Sequence, residues 1–131
     1  KWRQSMTTVI DPAGTPIVVY SRSGKTIYDL EVPVVDPVVP VAIARYSETT
    51  VVIIDTEEGN PRPSVELPAD AEIGDVVEIY VKDDVSNTDT VTIVPPAGET
   101  FVATDITANR LVWRIFRKLT ATRWGLASST S

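Results

Sequence analysis

Proline placement constrains this chain more than any other feature: five of its ten prolines, Pro12, Pro16, Pro33, Pro37 and Pro40, fall within the first forty residues. Each locks its own φ and pushes the residue before it toward extended backbone, so helix is excluded from this stretch. The intervening residues are β-branched, as in Val9-Ile10, Ile17-Val18-Val19 and Val32-Pro33-Val34-Val35, and favour short strands or polyproline-like segments. A solvated linker would be dominated by Gly, Ser, Glu and Lys. Residues 1–44 therefore read as an extended arm and connector that lies against a surface. Its apolar density favours an intermolecular one, with Val9, Ile10, Pro12, Pro16, Ile17, Val19, Tyr20 and Ile27 as contact residues. Two turns punctuate it, Asp11-Pro12-Ala13-Gly14 and Ser21-Arg22-Ser23-Gly24-Lys25. The second is suited to a hairpin tip between Ile17–Tyr20 and Thr26–Tyr28.

From residue 45 to 131 the pattern changes to short β segments separated by turn residues, with no amphipathic helical period. Strands are predicted near Thr50–Asp55, Ser64–Leu67, Asp75–Lys82, Thr90–Val94, Leu111–Lys118 and Thr122–Leu126. The expected fold is all-β, a small antiparallel β-sandwich or barrel-like domain preceded by the extended N-terminal arm. In Val76–Lys82, Val77, Ile79 and Val81 alternate with Glu78, Tyr80 and Lys82, the signature of a half-buried strand. In Arg110–Arg117, Leu111, Trp113 and Ile115 share one face while Arg110, Val112, Arg114 and Phe116 share the other, so both faces carry large side chains. With 131 residues, 43% of them hydrophobic, the chain has material for one core and not for two.

The absence of cysteine and of histidine removes disulfides, thiolate and imidazole metal ligands, thiol nucleophiles, and Ser-His-Asp catalysis. A formal net charge of −6 argues against nucleic acid, whose phosphates need a cationic face. No apolar run approaches a membrane span. Nor does the start, Lys1-Trp2-Arg3, resemble a secretory signal; Met6 has the place of an initiator, with Lys1–Ser5 as preceding sequence. Charge is uneven. Between Glu48 and Asp105 fourteen acidic residues face only Arg62 and Lys82, whereas Arg110 to Arg123 holds five bases and no acid. Cross-strand pairing is the simpler account of this asymmetry, and a basic docking face the alternative.

Three constellations invite a chemical reading. Asp83-Asp84-Val85-Ser86-Asn87-Thr88-Asp89 gathers oxygen ligands but lacks the glycine and terminal glutamate of an EF-hand loop, and reads as a solvated turn. Glu57-Glu58 sits in a turn context with nothing to fix the spacing of a glycosidase acid and base. Trp2, Trp113 and Trp124 suit core or interface packing, and a sugar-stacking platform is the rival use. Trp113, Phe116 and Trp124 are accordingly the candidate subunit interface. No glycine-rich phosphate loop or nucleophile elbow occurs, so no catalytic residue, cofactor or metal is assigned and no enzyme activity is expected.

One resemblance gives these features a setting. The arm Thr7–Gly24 resembles the N-terminal segment of tailed-bacteriophage capsid decoration (cement) or head-fibre proteins. Leu67-Pro68-Ala69-Asp70-Ala71-Glu72-Ile73-Gly74-Asp75-Val76-Val77-Glu78-Ile79-Tyr80, Thr92-Ile93-Val94-Pro95-Pro96-Ala97-Gly98-Glu99-Thr100 and Arg123-Trp124 look like the small β domain found in phage head and fibre proteins. Asp29 to Ala44 stands outside the resemblance. It implies a virion protein on the outer surface of the capsid, its arm laid on the major capsid protein and its β domain outward, often as a trimer. No catalytic residue carries over. The alternative it leaves open is a receptor- or glycan-binding fibre module attached by the arm.

Overall fold

The computed structural model describes the backbone of residues 5–10, 16–56, 62–82, 90–102, 107–109 and 113–129, and the side chains of 6–8, 19–56, 62–82, 91–102 and 113–127. Twelve strands follow in order: β1 (Ser5–Ile10), β2 (Pro16–Arg22), β3 (Lys25–Val32), β4 (Val41–Ala42), β5 (Thr49–Thr56), β6 (Ser64–Glu66), β7 (Val76–Val81), β8 (Thr90–Val94), β9 (Thr100–Phe101), β10 (Thr107–Asn109), β11 (Trp113–Thr120) and β12 (Arg123–Ser129). They form an eight-stranded sheet, ordered β1-β2-β3-β5-β7-β11-β12-β9, and a four-stranded sheet, ordered β10-β8-β6-β4.

Between β3 and β8 the chain alternates between the two sheets, and each return lands parallel to the strand before it. β3 pairs parallel with β5 and β5 with β7 in the large sheet; β4 pairs parallel with β6 and β6 with β8 in the small one. Lys25 stands beside Thr49 and Thr49 beside Val76, a step of 24 residues and then 27. The fold is thus a β-solenoid of about three turns, all-β but neither an antiparallel sandwich nor a barrel. The sequence expectation fails on connectivity rather than on strand content. Short strands separated by turns suit either architecture, and only the direction of successive strands separates them. β5, Thr-Thr-Val-Val-Ile-Ile-Asp-Thr, carries the mark of a parallel strand in its near-continuous apolar run.

Inward positions stack in ladders along the solenoid. Tyr28, Val52 and Ile79 form one, Leu30, Ile54 and Val81 the next, and from the facing sheet come Val65, Leu67, Val91 and Ile93, all buried. Residues of the expected arm and connector, Val19, Tyr28, Leu30, Val32 and Ile43, belong to this same core. The boundary at 44/45 therefore cuts through a packed unit, because β3 is the large-sheet strand of the first coil. The hairpin tip at Ser21–Lys25 is present: Arg22 pairs with Lys25 across Ser23 and Gly24, both at positive φ, as a two-residue turn matched to strand twist requires.

Adjacent coils are clamped at one corner by Arg45. Its guanidinium holds both carboxylate oxygens of Asp75, one at 3.2 Å, and reaches Glu72 at 3.0 Å. Asp75 also accepts the Glu72 N–H at 2.8 Å. Burial pushes the Asp75 carboxyl up, but the bonds from Arg45 and Glu72 and the charges of Arg45 and Lys118 outweigh it and hold the group below its ordinary value. The far end is closed by the β11–β12 hairpin, which pairs antiparallel with β7. There Lys118 meets Glu99 at 3.0 Å, Trp124 donates its indole N–H to Glu99 at 2.8 Å, and the ammonium lies 5.7 Å from the indole ring centre.

Candidate binding surface

Among the described residues the longest sheet edge is that of β1, and the outer face of the large sheet carries apolar side chains between its charged ones. The edge exists because the large sheet outruns the small one. β1 and β2 continue it beyond β3, whereas the small sheet ends at β4. β1 pairs with β2 over six residues, Ser5–Ile10 against Pro16–Ser21, but β2 pairs with β3 only over Val19–Arg22. The hairpin thus overhangs the end of the solenoid. The remaining sheet edges, β9, β4 and β10, are two, two and three residues long, and short edges offer little template for pairing. β1 is six residues long and its sequence, Ser-Met-Thr-Thr-Val-Ile, contains no charge and no proline, the usual protections of an exposed edge.

The outer face is set by the strand period. With Tyr28 and Leu30, Val52 and Ile54, and Val77 and Ile79 pointing inward, the residues between them point out. One cross-strand row runs Met6, Tyr20, Ile27, Val51, Glu78, Ile115; the next runs Asp29, Ile53, Tyr80, Trp113. Met6 is 68% and Tyr20 39% exposed, Ile27, Ile53, Tyr80, Trp113 and Ile115 are half-buried, and Val51 is 7% exposed. Lys25 meets Glu78 at 3.3 Å across β5, and Tyr80 donates its hydroxyl proton to Glu78 at 2.9 Å. Burial first, then the bond to Glu78 and its charge, push the Tyr80 phenol up. The Tyr80 and Trp113 rings lie 6.3 Å apart at 30°.

The candidate contact residues of the sequence divide. Tyr20 and Ile27 are neighbours on the outer face, but Val19 points inward and is buried. Val9 and Ile10 lie in β1, and Pro16 and Ile17 in β2, with side chains outside those described; Pro12 is outside the described residues. Of the candidate interface, only Trp113 reaches the outer face. Phe116 faces Val77 and Trp124 faces Lys118, both fully buried inside the chain, so neither is available to a second subunit. Glu57-Glu58 and Asp83–Asp89 lie outside the described residues. Among the described residues no group of acidic side chains has the spacing to hold a metal ion.

Sequence reasoning missed the apolar outer row. Its signal was the run Val51-Val52-Ile53-Ile54, which fills both faces of one strand. A shallow depression between the β2–β3 tip and Tyr46-Ser47 is lined by serine and threonine hydroxyls together with Arg22, Lys25 and Tyr46. There Thr26 and Ser47 hydroxyls meet at 2.7 Å and Ser47 donates to the Thr49 carbonyl at 2.9 Å; these bonds lock the loop rather than present reactive groups. No protein-family model matches the chain, and no curated protein matches it either.

Proposed function

We propose that this chain is a non-enzymatic structural protein of a tailed-phage virion, a decoration or cement protein that attaches to the outer surface of the head. The observation that supports this reading best is the edge of β1: six residues long, uncharged, overhanging the solenoid. An edge of this kind gains main-chain hydrogen bonds by adding to the sheet of a partner. The phage setting rests on the resemblance of Thr7–Gly24 and of the later β segments; the geometry contributes the manner of attachment. Each copy bound to the assembled lattice, and not to free subunits, stabilises the lattice by mass action.

Density for this chain on an intact particle tests location and attachment together. The accompanying variant removes residues 1–15, which takes away β1 and leaves Val19 and Tyr28 in the core. That variant should stay folded and lose occupancy on purified heads; full occupancy would refute attachment through β1. The receptor- or glycan-binding alternative draws support from Trp113 beside Tyr80 and Glu78, and is weakened by the burial of Trp124. Specific binders on a glycan array, lost on Trp113→Ala, would reverse the ranking.

A further inference from the structure

The corner connectors of the solenoid differ in a way that turning the chain does not require. Three of them lead from the large sheet to the small one: residues 33–40 between β3 and β4, 57–63 between β5 and β6, and 82–89 between β7 and β8. They are nearly equal in length. The second and third are polar in sequence, Glu57-Glu58-Gly59-Asn60-Pro61-Arg62-Pro63 and Lys82-Asp83-Asp84-Val85-Ser86-Asn87-Thr88-Asp89, which suffices for a change of direction between strands. The first, Pro33-Val34-Val35-Asp36-Pro37-Val38-Val39-Pro40, holds a single charge. Its three prolines are exposed, and so are Val35, Val38 and Val39, the last at 65%. Val32 and Ile43 on either side are buried in the core, so the loop is held outward from two fixed points. Single exposed valines need no explanation, but a contiguous apolar run marks a contact surface.

We propose that residues 33–40 are the ligand of a partner protein whose groove is lined by aromatic side chains and rimmed by basic ones, and which takes the segment as a polyproline II helix. Pro37-Val38-Val39-Pro40 has the P-x-x-P spacing, and at three residues per turn its two prolines fall on one ridge. Each fixes its own φ and pushes Asp36 or Val39 toward extended backbone, so little freedom remains to be lost on binding. Residues 38–40 form no turn, bend or strand, and among the described residues no backbone hydrogen bond ties the loop to another element. Strand addition fits less well, because three prolines remove N–H donors that a ladder needs. Charge selects the basic rim. Asp29, Glu31 and Asp36 are exposed, none has an ion pair among the described residues, and no Lys or Arg occurs between Lys25 and Arg45.

The segment is separate from the β1 edge and lies outside the stretches that carry the phage resemblance, so the inference does not depend on that reading. The probe is a panel of isolated proline-recognition domains of the WW and Src-homology classes, chosen for basic residues beside the aromatic groove. Each is titrated against the full chain by calorimetry, and amide shifts of the isotope-labelled chain map the contact. At least one domain should bind, with shifts centred on residues 33–40. Pro37→Ala with Pro40→Ala should weaken that binding at least about tenfold. Asp36→Lys with Val39→Ser, which keeps every proline and alters exposed positions only, should do the same. Thermal melts confirm that each variant is folded. No binding across the panel, shifts centred on β1 or on the outer face of the large sheet, or full affinity in either folded variant would each overturn the proposal.

Discussion

Leu30→Ala decides whether residues 1–44 belong to the folded core or only lead to it. Leu30 is 2% exposed and sits in the first coil, level with Ile54 and, one coil further, Val81. Truncation removes three buried carbon atoms' worth of packing and leaves a cavity bounded by strands of three coils, for a cost of about 3–4 kcal/mol. For a chain of 131 residues the unfolding entropy near the midpoint is about 0.28 kcal/mol/K, which converts the loss to a fall in Tm of roughly 11–15 °C. Urea denaturation followed by tryptophan fluorescence gives the free energy and its slope, with differential scanning calorimetry for Tm. Met6→Ala, at an exposed position of the same N-terminal region, is the control and should change stability by less than about 0.5 kcal/mol. If Leu30→Ala costs under ~1 kcal/mol with an unchanged denaturant slope, β3 is not part of the cooperative unit and the solenoid begins at β5.

The buried cluster at the far end makes a contrasting prediction. Lys118→Met strands Glu99 and should cost about 3 kcal/mol, whereas Lys118→Met with Glu99→Gln, which keeps an acceptor for the Trp124 indole, should cost within about 1 kcal/mol; a double variant worse than the single one, measured by urea denaturation, would contradict this account. Asp75 supplies the pH dependence. Its folded pKa is depressed, so its contribution is complete above the ordinary carboxylate value near 4 and is lost as pH falls through the lower folded value. Asp75→Asn should therefore flatten the acid limb of a Tm-against-pH profile below about pH 4, and an unchanged limb would place the sensitivity elsewhere. Tyr28→Phe removes the hydroxyl that accepts the Ala44 N–H at 2.9 Å; a loss of about 1–2 kcal/mol in urea, with faster amide exchange at Ala44, is expected.

The strands were legible and their arrangement was not. Predicted strands at Thr50–Asp55, Ser64–Leu67, Asp75–Lys82, Thr90–Val94, Leu111–Lys118 and Thr122–Leu126 match β5, β6, β7, β8, β11 and β12 to within a few residues, since period-two alternation and turn residues are local signals. Parallel stacking is not local, and its trace in the sequence is a loose repeat of unequal step. Thr26-Ile27-Tyr28-Asp29-Leu30, Thr50-Val51-Val52-Ile53-Ile54 and Val77-Glu78-Ile79-Tyr80-Val81 occupy equivalent places in successive coils, as do Ser64-Val65-Glu66 and Thr92-Ile93-Val94. Face assignment failed for a different reason. Alternation sets Trp113 and Ile115 on the face opposite Phe116 but does not say which face is inside, and the core takes Phe116. Nothing local to Trp124 signals its burial; Glu99, twenty-five residues earlier, supplies the acceptor that makes it tolerable.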